Sequence, residues 1–190
     1  MNNESYSPNT TSTCVAGPNN RFNRSAQRRW YLHPHQIFRT RLTGAFVAQA
    51  LMIDTVHEFE SRLRSLDPGH YAFVVRADEL VADLSANIKD KVYEPIFRFF
   101  ELHPDADCGA PGTLVHHVEE YYPNYLDALV DSVRRKTSYN GVLMINRILN
   151  TKIDDELRER LLGVVTLASH DENAAHHVRE MASGFVRRHS

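Results

Sequence analysis

The sequence is short of most features that announce a function. It has two cysteines, Cys14 and Cys108, in what read as a tail and a loop. They build neither a disulfide framework nor a Cys-x-x-Cys metal pair, and such sparse use points to a reducing cytoplasm. No apolar run approaches the ~20 residues of a membrane helix. Residues 44–53, GAFVAQALMI, follow Arg39 and Arg41 as the core of a signal peptide would. They lie too far along the chain for that role, which wants its apolar region within the first ~15–30 residues. No nucleophile elbow surrounds Ser132, Ser138, Ser169 or Cys108. Gly109 and Gly112 are not followed by the Lys-Ser/Thr of a phosphate loop, and the HExxH metalloprotease spacing is missing. Acidic residues are nearly absent from the first 51 positions, which hold six arginines and only Glu4 on the other side.

What is present divides at about Met52. Residues 1–51 are rich in Asn, Ser, Thr, Pro and Arg and poor in apolar side chains, so they do not repay the entropy of ordering and read as a disordered basic extension. Residues 52–190 carry 16 basic and 23 acidic side chains, the opposite balance. So sharp a split implies two parts with different partners or histories, and Met52 reads as a native or alternative start. The segment RRWYLHPHQIF (28–38) holds the only tryptophan, and with its flanks (21–41) could act as an arm that contacts nucleic acid.

From Met52 onward, apolar residues recur at helical spacing. Asp54 is placed to cap a helix over 55–66. Asp78–Asn87 and Ile88–Leu102 read as one helical stretch, broken or kinked by Pro95 near Tyr93–Glu94. His103-Pro104 ends it, since the residue before a proline is pushed out of the helical region. Asp105, Asp107 and Gly109 form a polar turn, and Pro111 stands where the next helix begins. Short helices follow over 112–121 and 123–135. The segment 139–149 is apolar almost all round, as in a buried helix. Asp154 starts a helix to about Leu167, and Asp171 is placed to cap the last one. The expected fold is all-α, with stacked antiparallel helix pairs forming either a HEAT-like solenoid or an irregular bundle. Residues 52–190 make up this domain.

The stretch from HPDAD (103–107) through Pro111-Gly112, LVH (114–116), Glu119, Tyr125 and Ser132 to NRILN (146–150) resembles small acidic bacterial helical-repeat proteins. Many of those are immunity proteins of polymorphic or contact-dependent toxin systems. The resemblance is dense over about 50 residues and loose over the rest of 52–190. It implies a binding protein without catalysis or cofactor, whose partner is a basic protein toxin. Fold likeness alone does not fix such a role, because helical repeats host many binding functions.

The charge pattern suits that implication. Acidic residues crowd residues 78–131 with few cations among them. The candidate partner surface is Glu101, Asp105, Asp107, Glu119, Glu120, Asp127 and Asp131, with Tyr121, Tyr122 and Tyr125 as aromatic anchors. Complementary charge would speed encounter with a basic partner, and it disfavours nucleic-acid binding by 52–190. An alternative reading is a metal-dependent helical enzyme. His116 and Glu119 lie three apart, and Glu172 and His176 four apart, the helical spacings from which bundles build metal sites. Cys108 should be a dull thiol beside Asp107. Arg147, on the apolar helix, is expected to pair with Asp105 or Asp107.

Overall fold

The structure, a computed structural model, describes residues 52–190. The expected disorder of 1–51 and the arm at 21–41 lie outside the described residues. Among the described residues there are eight α-helices: α1 (Val56–Arg64), α2 (Phe73–Ala82), α3 (Tyr93–Leu102), α4 (Thr113–Glu119), α5 (Leu126–Arg135), α6 (Tyr139–Leu149), α7 (Asp155–His170) and α8 (His176–His189). A single 3₁₀ turn, Lys89–Lys91, precedes α3. Among the described residues there is no strand, only one isolated parallel bridge between Ile53 and Leu84. No helix among them is long and apolar enough to cross a membrane.

Three helices begin as their sequences dictate. Thr55, Ser138 and Asp154 each take extended backbone and accept a hydrogen bond from the N–H three residues on. Such caps contribute ~1 kcal/mol each. Asp154 was expected in this role. At α1 the cap is Thr55 rather than Asp54, because its Oγ1 is the oxygen within reach of Glu58 N at 3.2 Å. Pro95 occupies the third position of α3, where its missing N–H leaves no helical bond unmade. It helps begin that helix rather than bending it, and of the expected kink or break near Tyr93–Glu94 the break is the one found, since the helix starts at Tyr93.

Two expectations are corrected. The stretch from Asp78 to Leu102 is not one helix. Ile53 N–H donates to Asp83 O at 2.8 Å, and Ser85 N–H donates to Ile53 O at 3.0 Å. This pairing from outside the helix takes the backbone groups that a continuing helix would use, and α2 stops at Ala82. Asp171 does not cap α8, which starts at His176 after Ala175. Its Oδ1 instead accepts from Asn173 N at 3.0 Å within the preceding turn.

The core is continuous. Helix α3 buries Ile96, Phe97, Phe99 and Phe100, and α6 buries Val142, Met144, Ile145, Ile148 and Leu149. The Phe73 and Phe99 rings stack with centroids 6.0 Å apart, and Tyr125 lies 6.3 Å from Phe97. The principal packing links neighbours in chain order: α1 meets α2 and α3, α2 meets α4, and α3 meets α5 and α6. Helix α5 meets α6 and α7, α6 meets α7 and α8, and α7 meets α8.

Candidate functional site

The turn between α3 and α4 sets the geometry around which the acidic residues are arranged. His103 closes α3 by donating its N–H to Phe99 O at 3.1 Å. The first residues of α6 then hold the turn. Tyr139 N–H donates to Pro104 O at 2.7 Å, and Asn140 Nδ2 donates to Ala106 O at 2.8 Å. Asp107 Oδ1 accepts from Gly109 N at 2.9 Å. Cys108 and Gly109 both take positive φ, 51° and 79°, a conformation glycine adopts at little cost and other residues rarely. A Cβ on Gly112 would fall 2.4 Å from Cys108 O, so the chain can pass there only as glycine. The Cys108 thiol is buried and pushed up to about 12, first by burial and then by the Asp107 carboxylate, against a hydrogen bond from Asn140. The dullness expected from Asp107 is therefore mainly a consequence of burial.

The acidic candidates differ in their exposure and in their partners. Glu101 is half-buried and accepts from Arg135 Nη2 at 2.8 Å. Asp105 and Asp107 are exposed in the turn. Glu119 is half-buried and held bidentately by Arg147, with Nη2 at 2.8 Å from Oε2 and Nε on Oε1. Arg147 was expected to reach Asp105 or Asp107. It meets Glu119 instead, because α4 brings that carboxylate to the face of α6. Asp127 is exposed and accepts from Arg160 Nη2 at 2.6 Å. Glu120 and Asp131 are exposed. Of the tyrosines, Tyr122 is exposed and Tyr121 is half-buried. Tyr125 is 2 % exposed, packed in the core, and cannot serve as a surface anchor. Its phenol is pushed up to about 12, chiefly by burial.

Two hollows bring subsets of these residues together. A groove of about 440 Å³ runs between α3 and α5, with Phe97 and Ala128 lining it and Glu94, Glu101 and Asp131 along it. Arg98 and Arg135 stand in the same groove. A second hollow of about 430 Å³ is lined by Tyr122, Ile148 and the Glu119–Arg147 pair. The groove includes residues absent from the sequence-based set: Glu94, Arg98 and Arg135. Their spacing carried the information. Positions 94, 98 and 101 on α3, and 128, 131 and 135 on α5, each repeat at helical intervals along one face. What the sequence does not display is that these two faces meet.

The metal alternative is not supported by the geometry. Among the described residues no three His, Cys, Asp or Glu side chains are grouped to hold an ion. His116 Nδ1 lies 3.4 Å from Glu119, whose carboxylate is committed to Arg147. Glu172 sits in the turn before α8 and not on it, and His176 pairs with Glu180 at 3.5 Å. His117, not His116, is the inward ring. It is buried, with Nε2 2.9 Å from Lys89 O and its edge against Tyr121. Burial lowers its pKa from the ordinary histidine value.

No family model matches the chain, and neither does any curated protein or solved structure.

Proposed function

We propose that the chain is a binding protein of the helical-repeat kind, acting in the cytoplasm as an immunity protein that neutralises a basic toxin by direct association. No catalysis or cofactor enters this reading. The observation that carries it is the α3–α5 groove: a hollow floored by buried Phe97 and half-buried Ala128, with carboxylates at Glu94, Glu101 and Asp131 beside the guanidinium groups of Arg98 and Arg135. Glu94 and Asp131 are exposed there, and neither makes an ion pair within the described residues. The two unpaired carboxylates suit a segment presenting Lys or Arg, and would steer such a segment in. The likeness of residues 103–150 to acidic helical-repeat proteins supports the same reading. So does the packing order, in which each helix principally meets those near it in the chain, as stacked repeats do. The contact surface is narrower than the sequence suggests. It centres on Glu94, Glu101 and Asp131, while Tyr125, packed against Phe97, supports it from inside.

The full chain with Glu94→Lys and Asp131→Lys tests this against wild type, both used as bait in a lysate of the source organism. The expected result is a basic protein, toxic when expressed alone, captured by wild type and reduced at least about tenfold with the variant, as expected when charge pairs at an interface are reversed. The far-UV circular dichroism of the variant should be unchanged. Equal capture by both would move the interface off this groove.

A further inference from the structure

Helix α7 turns one side to solvent along its whole length. Glu156, Glu159, Arg160, Gly163, Thr166, Leu167 and His170 are all exposed. They follow one another at steps of one, three and four, so they lie on one face with Gly163 at its middle. Leu167, on that face, is 65 % exposed. Gly163 weakens the helix and has no packing reason among the described residues, since a Cβ there would meet nothing within 4 Å. A glycine so placed leaves room for another backbone to come close.

Helix α5 runs beside this face in the same direction. Asp127 pairs with Arg160, and seven residues on in each helix Arg134 and Leu167 line the same two hollows, of about 570 and 590 Å³. The charges are sorted by position. Glu156 and Glu159 stand ~10 Å and ~6 Å before Gly163 along the helix axis. Arg134 and Lys136 stand on the other side of it, in the hollow with Leu167 and Ala168. None of these four makes an ion pair within the described residues. The other charged groups there are engaged: Arg135 with Glu101, Arg160 with Asp127, and Asp171 with Asn173 N at 3.0 Å.

A face that is acidic at one end, basic at the other and open at a glycine between them is complementary to itself turned round. A two-fold axis at Gly163 would lay the α7 helices of two copies antiparallel and make every contact twice. We infer that two copies of this chain associate through the outer face of α7, crossing at Gly163, with the Glu156–Glu159 end of each against the Arg134–Lys136 end of the other and Leu167 covered in both. Glu94, Glu101 and Asp131 take no part. A contact of this extent is small, so the dimer is weak, and its charges make it sensitive to salt.

Sedimentation of the full 190-residue chain under reducing conditions tests this, over concentrations from ~10 µM to ~1 mM, the range of weak association. Wild type should pass from monomer to dimer, and added salt should shift it back. Arg134→Glu with Lys136→Glu should weaken the dimer at least about tenfold, and so should Glu156→Lys with Glu159→Lys, because like charges then face each other. Leu167→Asp should weaken it as well. All these positions are at the surface, and far-UV circular dichroism should be unchanged. An equimolar mixture of the two double variants should regain the dimer, since each restores the charges the other has lost. Wild type that stays monomeric throughout would overturn the inference. So would a dimer indifferent to either double variant, or a mixture that fails to regain it.

Discussion

Helices α6 and α8 are built from similar numbers of residues and are held in different ways. Helix α6 buries most of its positions, including Asn140, Gly141 and Asn146, and touches α3, α5, α7 and α8. Helix α8 buries only Val178 and Ala182 and rests on α6 and α7. Both satisfy a helical period. The comparison shows that period identifies a helix, whereas the share of its circumference that is apolar tells how many neighbours it has. The same contrast holds for ion pairs. Glu119–Arg147 is bidentate and links α4 to α6 across a half-buried gap. Asp127–Arg160 joins an 83 % exposed carboxylate to its partner and contributes at most ~1 kcal/mol.

The largest test of this contrast is truncation of a core side chain. Ile145→Ala, in the fully buried stripe of α6, should cost about 2–5 kcal/mol in urea unfolding, whereas Met181→Ala on half-buried α8 should cost clearly less. Equal losses would mean that the two helices are equally central. The next is a pair of glycines with opposite expected signs. A Cβ at Gly141 would sit 2.7 Å from Val133 Cγ2 and 2.8 Å from Ser138 Oγ. Gly141→Ala should therefore destabilise by about 1–3 kcal/mol through overpacking. Gly163, exposed on α7, has nothing within 4 Å of that position. Gly163→Ala should stabilise by about 0.5–1 kcal/mol by removing helical glycine. Thermal melts of the two variants should move in opposite directions, and a shared direction would break the comparison. The smallest effect is one of pH. His117 is neutral in the folded state further down the pH scale than in the unfolded chain, because burial opposes its charge more than Glu120 and the Lys89 carbonyl favour it. The unfolded chain therefore binds the extra proton first. The contribution is present above the ordinary histidine value of about 6.5 and is lost as pH falls below it, at no more than ~1.4 kcal/mol per pH unit. His117→Gln should flatten that part of the stability–pH curve, and an unaltered slope would assign the loss to other groups.

Much of the helical layout was legible in the residues. The limits of α6 and the start of α7 follow from Ser138 and Asp154 standing before periodic apolar runs, and the α3–α4 junction follows from His103-Pro104 and the Asp-Gly turn. The misread places are those where a distant segment outcompetes the local one. Residues 83–85 are locally compatible with a helix, and only the arrival of Ile53 removes them from it. The site was less legible for the same reason. Spacing places His116 and Glu119 on one face, but not Arg147 opposite them. It marks Tyr125 as an aromatic near acidic residues, but not as one facing Phe97. Composition reports how much charge the chain carries, and packing decides which of it is left free to meet a partner.

The order in which the helices pack also bears on how the chain comes off the ribosome. Since the principal partners of each helix lie at most three places away in the chain, loops close over short separations and the barrier to folding stays low. The turn held by Tyr139 and Asn140 completes as soon as α6 has emerged. The groove between α3 and α5 is lined by those two helices alone, so its walls need no residue of α7 or α8.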